Sequence, residues 1–434
     1  MAPPQRFSVG INYWPRRSWL AMWRRFDAGE IGEDFRRIAE LGLDGVRFFL
    51  RWDDFQPDPA WVDPAMLERF DAVLALAADA GVQTIPVLFC GHMAGVNWLP
   101  AWTLDRSRPR GAYRTIAGGV PSPFGIANPY AGELLDAQIV LARALGERAR
   151  AHPAIRAWDL GHAFSDVAQP SHAKVSSGEH SKAPAAEGEV AAWSARLASA
   201  LRESSALPVT AGTQWADLTE DRDIRLGSLC APFAFASMSG YGVRGAFARN
   251  RLDPEALPFL ASLAASFSFK PVLVNAFGNP TCPPGKFSAF DRYAEPGEPP
   301  NPTISPDDTA FATYPCRTEE ENAAYCRAVL ERLHADGRLG AYWWCWADYP
   351  DEACDEPAGG LAPGERTYGI VRADGSEKPV AAALSAFARE RRPVLRANDP
   401  PTIAANYYYR TLPASTKTLY DAYLRRIDRA SLSR

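Results

Sequence analysis

The sequence predicts an α/β fold: a closed (β/α)8 TIM barrel with long loops after its strands and a short C-terminal arm. Two observations predict it. Eight short apolar runs alternate with longer amphipathic runs, a pattern typical of parallel strands joined by helices. The apolar runs are mostly continuous, which indicates strands that are buried on both faces. Because eight such units suffice to close a sheet on itself, a barrel is expected.

The elements follow one another at regular intervals. Strands are predicted over residues 8–14, 44–50, 82–89, 155–160, 208–213, 232–238, 270–275 and 340–345. Helices are predicted over residues 32–41, 64–80, 130–151, 187–203, 254–266, 318–335 and 378–390. The segment after the fifth strand has the least distinct helical pattern.

A doubly wound open sheet is the alternative to a barrel. Such a sheet usually carries a glycine-rich phosphate loop after its first strand. Here the first strand runs into Tyr13, Trp14 and Pro15, which favours the barrel. We assign residues 1–393 to the barrel. Residues 394–434 are too few for an independent domain and are predicted to form an arm packed on the barrel, with a helix over 415–427.

Composition and charge exclude several classes of partner. The chain has 47 Lys and Arg against 51 Asp and Glu, a net charge of −4, so no basic surface for nucleic acid or anionic membrane is indicated. No apolar run reaches the roughly 18 residues of a membrane span. The first residues lead directly into a strand without the pattern of a signal peptide, so a cytoplasmic location is expected.

The seven cysteines include no Cys-x-x-Cys pair, so no metal site is predicted. Cys282 and Cys316 lie on either side of a loop, and a disulfide between them stays an open alternative. No cofactor is implied by any motif, and the sequence does not determine the oligomeric state.

The long insertions all follow strands. They span about residues 90–129, 164–186, 277–317 and 346–377. Because barrel enzymes build their sites from these loops, the site is expected at the carboxyl ends of the strands. The chain holds 13 Trp, 15 Tyr and 21 Phe. Many of these rings belong to the core, but such rings also stack on sugars, so a carbohydrate cleft is the functional hypothesis.

Two strand ends carry the most specific signal. The fourth strand ends in WDLGHAF over 158–164, and the seventh ends in VNAFG over 274–278. These segments resemble glycoside hydrolase family 5 and its relatives in clan A, particularly the branch of β-mannosidases and endo-mannanases. That family has Asn-Glu at the fourth strand end and Glu at the seventh. The resemblance implies that Ala163 occupies the acid/base position, Ala276 the nucleophile position, and His162 the position of the asparagine.

Further positions match in order along residues 7–393. The resemblance implies that Arg47 is the second-strand arginine that steadies the nucleophile. It implies that Tyr241 is the sixth-strand aromatic beside that nucleophile, and that Trp344 forms the floor of a sugar subsite. His92, which follows the third strand, and Trp346 are further substrate-binding candidates. The partner is then an oligosaccharide or glycoside.

The predicted activity is that of a retaining hydrolase of β-linked mannose- or glucose-type glycosides. Retention requires two carboxylates about 5–5.5 Å apart, and alanine at both positions supplies neither. Two explanations remain open: an enzyme inactivated by Glu-to-Ala changes, or a natural pseudoenzyme that binds glycan without cutting it. Asp159, Asp166 and Asp348 have no partner at a fitting strand end, so relocated catalysis is disfavoured.

A barrel enzyme of unrelated chemistry is the third alternative. It would call for a strand-borne lysine or a glycine-rich phosphate loop, and neither is clear here.

Overall fold

Eight parallel strands close into a barrel, and each strand pairs with its neighbours in chain order. This confirms the predicted fold class. The computed structural model describes residues 5–168, 184–241, 247–250, 252–281, 317–350, 363–398 and 401–432. The barrel strands are β1 Ser8–Tyr13, β2 Gly45–Arg51, β3 Gln83–Cys90, β4 Trp158–His162, β5 Val209–Gln214, β6 Ala236–Tyr241, β7 Val272–Gly278 and β8 Gly340–Trp343.

The sixth strand departs most from its predicted position. It begins at Ala236, whose amide donates to the Pro271 carbonyl, and it continues to Tyr241. The apolar run that starts at Pro232 placed the strand too early, because its first residues precede the parallel pairing. The polar residue Ser237 is buried in the strand, where Thr210 Oγ1 lies 3.1 Å from its Oγ.

Helices cover the barrel between the strands. They are α1 Ala28–Glu40, α2 Pro64–Ala80, α3 Gly132–Ala149, α4 Pro184–Arg202, α5 Leu226–Leu229, α6 Ala256–Ser268, α7 Glu319–Ala335 and α8 Pro379–Arg389. Their ends follow the chemistry of the sequence: Asp27 and Asp63 cap α1 and α2, and Thr318 forms a capping box with Glu321 at the start of α7. After β5 the chain forms only the four-residue helix Ala216–Thr219 and the equally short α5, which explains the weak helical pattern there.

The insertion after β3 contains β structure that the sequence analysis treated as a loop. Its strands are short, and they form a four-stranded and a two-stranded sheet. They are His92–Met93, Val96–Leu99, Leu104–Pro109, Arg114–Ala117, Val120–Ser122 and Phe124–Ile126. These sheets stand beside the carboxyl ends of the barrel strands.

The C-terminal segment folds as two further helices, α9 Ala405–Arg410 and α10 Ala414–Leu432. It contacts the outside of the barrel. Tyr420 Oη donates to Asp253 Oδ2 at 2.6 Å, and Tyr423 Oη donates to Asp336 Oδ2 at 2.7 Å. These contacts join the segment to residues that flank α6 and α7.

The lower part of the barrel interior is filled by side chains. Ile85, Leu273 and Tyr342 form a small buried cluster there. A Cβ at Gly45 would lie 2.0 Å from Tyr342 Oη, so glycine is required where this ring crosses the barrel. The barrel is therefore closed below, and its opening faces the carboxyl ends of the strands.

Cys282 and Cys316 lie outside the described residues, so a disulfide between them stays an open alternative. The described cysteines, Cys90, Cys230, Cys326 and Cys345, are free and buried.

Of the helices in the described part of the chain, none combines the length and the apolar character needed to cross a bilayer.

Candidate active site

A buried ion pair occupies the centre of the barrel. Arg47 on β2 and Asp159 on β4 are both fully buried, and Arg47 Nε and Nη2 lie 3.0 and 2.9 Å from Asp159 Oδ2. Arg47 Nη1 donates to Asn12 Oδ1 at 3.0 Å. Asp159 Oδ1 accepts from the amides of Gly161 and Gly212 at 3.2 and 2.8 Å. The guanidinium is thus neutralised and fixed within the scaffold itself.

Space for this pair depends on a glycine in β5. A Cβ at Gly212 would lie 2.6 Å from the Gly161 carbonyl oxygen and 3.0 Å from Arg47 Nη2. The Asn275 amide nitrogen would be 2.8 Å away. Any larger residue would therefore displace the guanidinium that supports the mouth of the barrel.

His162 connects the ion pair to the mouth. Its Nδ1 lies 3.3 Å from Arg47 Nη1, and its Nε2 lies 3.4 Å from Tyr241 Oη. A guanidinium only donates, so Nδ1 must accept and the ring proton sits on Nε2. Burial, and then the charges of Arg47 and His92, hold the pKa of His162 well below its ordinary value. His162 is therefore neutral at neutral pH and donates toward Tyr241.

Aromatic rings line this part of the mouth. Trp344 stacks on His162 with ring centroids 5.6 Å apart and planes inclined by 6°. Tyr241 and Phe49 meet the same indole edge-on at 5.6 and 5.5 Å. The peptide bond between Trp344 and Cys345 is cis. Of these rings, His162, Tyr241 and Trp344 line the cavity, while Phe49 is fully buried behind them.

A cavity of about 350 Å³ opens over these rings. Its lining comes from the β3 insertion and from the carboxyl ends of β4, β5, β6 and β8. It combines aromatic faces with hydrogen-bonding groups, which is the composition expected of a sugar site.

Part of the cavity lining is charged. Arg222 Nη1 donates to Asp166 Oδ1 at 2.8 Å, and Arg222 Nε donates to Glu220 Oε2 at 2.7 Å. His92 Nδ1 lies 2.7 Å from Asn97 Oδ1, so it carries a proton, and His92 Nε2 lies 3.9 Å from Asp166 Oδ2. These charged groups can hold polar substituents of a ligand.

The structure brings five of the predicted site residues together. His92, His162, Ala163, Tyr241 and Trp344 all line the cavity. Ala163 follows β4 directly, in the left-handed conformation with φ 47°. Residues from four separated parts of the sequence thus meet at one mouth.

Arg47 and Ala276 lie beneath that lining. Arg47 reaches the cavity only through His162. Ala276 is fully buried in β7, in register with Ser239 on β6. Neither side chain is among those that line the cavity.

Trp346 lies on the other side of the chain, away from the cavity. Its ring faces α1, where the Arg37 guanidinium lies 5.6 Å from the ring centroid and the indole donates to Asp34. Its amide donates to the Asn12 carbonyl at 2.9 Å. Trp344 faces the cavity, whereas Trp346 packs against α1 and is not among the residues that line this cavity.

Several cavity residues escaped the sequence analysis as site residues. Gln214 and Trp215 end the fifth strand, a signal that strand-end inspection provides. Tyr113 and Arg222 lie in loops and Glu365 lies in the short 3-10 helix Pro363–Arg366, where no periodicity points to a site. Among the described residues, no group of three or more His, Cys, Asp or Glu side chains is arranged to hold a metal ion.

Comparisons with known proteins give structural matches. No family model matches the sequence, and no curated protein does. The GH5_18 structure from Streptomyces cattleya in complex with GlcNAc has a TM-score of 0.73 at 18% identity, covering 99% of this chain and 92% of that one. A variant of the same enzyme, in complex with Manβ1-4GlcNAc, has a TM-score of 0.72, also at 18% identity with the same coverage.

The exo-β-1,4-mannosidase Op5Man5 from Opitutaceae bacterium strain TAV5 has a TM-score of 0.66 at 23% identity. It matches 90% of this chain, but this chain spans only 60% of the mannosidase's length. At these identities the similarity concerns the fold. The chain therefore has the (β/α)8-barrel fold of these solved glycoside hydrolases.

Proposed function

We propose that the chain is a glycoside-hydrolase barrel related to family 5 that binds β-linked glycosides in the cavity over Trp344. One observation carries the proposal. His162, Ala163, Tyr241 and Trp344 converge on one cavity at the mouth, in the order that the family resemblance requires. The fold shared with solved GH5_18 structures supports it.

We further propose binding without turnover. In a retaining hydrolase one carboxylate protonates the leaving oxygen and the other attacks the anomeric carbon. Alanine at 163 and 276 can do neither. Such a chain has two possible origins. It is an enzyme inactivated by Glu-to-Ala changes at these positions, or a natural non-catalytic glycan-binding pseudoenzyme of the same fold. The two alternatives differ in whether glutamate codons stand at these two positions in the source gene.

The cavity and the structural neighbours support the proposed ligand class. The neighbours bind GlcNAc and Manβ1-4GlcNAc. A cavity of about 350 Å³ suits a short oligosaccharide end better than the middle of a polymer. We take Manβ1-4GlcNAc as the first probe and cellobiose as its glucose-type counterpart.

Calorimetry tests the proposal directly. Titration of the chain with each disaccharide should give saturable binding to at least one of them. Chromatography after prolonged incubation should detect no released monosaccharide. Release of monosaccharide by this chain would refute the assignment of positions 163 and 276. Absence of binding across a panel of β-mannosides and β-glucosides would refute the glycan site.

A further inference from the structure

We propose that the C-terminal arm positions one wall of the cavity. Its residues 401–432 do so through the hydroxyls of Tyr408 and Tyr409. This inference rests on the proposed function for its consequence on sugar binding. The wall concerned is the segment 214–222, which begins at the last residue of β5. Gln214, Trp215 and Arg222 all line the cavity from this segment.

The wall has little regular structure of its own. Its only described helix, Ala216–Thr219, is four residues long, far below the length at which a helix is stable alone. The last carbonyls of any helix also lack partners within the helix. The carbonyls of Asp217 and Leu218 are therefore in need of outside donors.

The arm supplies these donors. Tyr408 Oη donates to the Leu218 carbonyl at 2.7 Å, and Tyr409 Oη donates to the Asp217 carbonyl at 2.9 Å. Both tyrosines are buried, and both rings pack against Phe267 of α6. The donors are thus anchored on the barrel and leave little freedom to the wall.

The same wall is tied to the segment that carries Ala163. Ser165 Oγ donates to Asp217 Oδ1 at 2.6 Å, and the Gln214 amide donates to Asp217 Oδ2 at 3.0 Å. Gln214 Nε2 donates to Ser165 Oγ at 3.0 Å. Hydrogen bonds therefore connect the arm, the wall and the turn after β4. A displacement of the arm would displace Asp166 as well as Trp215.

Other tyrosines of the arm provide a matched control. Tyr423 is also buried, and its hydroxyl donates to Asp336 beyond the end of α7, outside the residues that line the cavity. If the arm only stabilised the barrel, removal of either kind of hydroxyl would have the same effect. If the arm positions the wall, only removal of the Tyr408 and Tyr409 hydroxyls changes the cavity.

The test compares the double variant Tyr408→Phe/Tyr409→Phe with Tyr423→Phe. Hydrogen exchange should accelerate in a peptide covering 215–220 in the double variant and stay at the parent rate in the control. Affinity for Manβ1-4GlcNAc should fall by about three- to tenfold in the double variant alone, the loss expected from net hydrogen-bond energies. Both variants should retain a cooperative unfolding transition.

Unchanged exchange at 215–220 overturns the positioning role whether or not any sugar binds. Faster exchange at 215–220 with unchanged affinity for Manβ1-4GlcNAc would show that the position of the wall does not affect sugar binding. Equal loss of affinity in the Tyr423→Phe control would mean that the arm acts through global stability. Failure of the parent chain to bind any β-glycoside refutes the proposed function, while the exchange experiment still decides whether the arm holds the wall.

Discussion

The contact between Trp344 and His162 shows how single residues shape the cavity. The indole is held by the stacked imidazole on one face and by edge-on rings around it. Its orientation is therefore fixed before a ligand arrives. A rigid ring of this kind binds a sugar face with little loss of conformational entropy.

Removal of this ring should weaken binding specifically. We expect Trp344→Ala to weaken binding of a β-glycoside by roughly 1–3 kcal/mol, the value of a buried stacking platform. Trp346→Ala is the matched control, because its ring faces α1. The control should lower the melting temperature and leave affinity unchanged. Calorimetric titration of both variants measures the difference, and equal affinity in Trp344→Ala and the parent would assign Trp344 to the core.

Under the proposed function, introducing glutamate at both positions should create a retaining glycosidase. The double change Ala163→Glu/Ala276→Glu places an acid at the cavity lining and a nucleophile in β7 beside β6, which carries Tyr241. Each single change should recover little activity, because protonation and attack operate together. Azide should rescue Ala163→Glu by replacing the absent nucleophile, giving a glycosyl azide of inverted configuration.

Proton NMR of the first-formed sugar decides the result. Retained configuration from the double variant supports carboxylates at the short separation of retaining enzymes. Inverted configuration would mean that the two side chains sit too far apart. A double variant that binds sugar but stays inactive would contradict the assignment of these positions.

At the scale of elements, the docking of α1 onto β1 has a pH dependence of its own. Asp34 on α1 accepts from Tyr13 Oη at 2.9 Å and from the Trp346 indole. Burial raises the pKa of Asp34 to about 7. The same carboxyl in the unfolded chain ionises near pH ~4. Between these values the folded chain keeps the proton and the unfolded chain does not.

Stability contributed by this carboxyl should therefore be greatest below about pH 4 and should fall as the pH rises to about 7. Asp34→Asn keeps an acceptor for Tyr13 but cannot ionise. Melting temperatures of the parent and the variant, measured by calorimetry from pH 5 to 8, should diverge with rising pH in favour of the variant. Parallel curves would show that Asp34 ionises normally in the folded chain.

The barrel elements could be predicted because strands buried on both faces give continuous apolar runs. The same rule failed at Pro232, where apolar residues come before the part of the sixth strand that pairs with its neighbours. It also failed for strands too short to show a pattern, such as Val96–Leu99. For the site, the ends of β4, β6 and β8 indicated His162, Tyr241 and Trp344 because parallel strands end at one mouth.

Sequence spacing could not decide which way a side chain points or which charges meet across loops. Trp346 is two residues from Trp344 but faces α1. Arg222 lines the cavity where it pairs with Asp166, which lies in a segment distant in sequence. Contacts of this kind depend on tertiary packing, which has no local signal.

At the scale of the whole molecule, the arm covers apolar surface that the barrel alone would expose. Tyr408 and Tyr409 pack on Phe267, and Tyr420 packs on Phe259 at a centroid distance of 5.1 Å. The outer face of α6 is therefore completed by residues far along the chain.

A chain that stops after residue 393 should consequently self-associate. The uncovered face of α6 would present contiguous aromatic and aliphatic surface to solvent. Size-exclusion chromatography with light scattering should show larger species and a lower melting temperature than for the full chain. Tyr407→Ser, at a residue 55% exposed, is the control and should change neither measurement. A truncated chain with the parent's size distribution and melting temperature would show that the barrel is self-sufficient.

The central ion pair also bears on what positions 163 and 276 contribute to the fold. Arg47 is neutralised by Asp159 and oriented by Asn12, all within the strands. No carboxylate at 163 or 276 is required to balance that cation, so exchanging both for alanine leaves no buried charge uncompensated. Under the proposed function, folding then depends on neither position, and the surface proposed to bind sugar stands without a carboxylate at either of them.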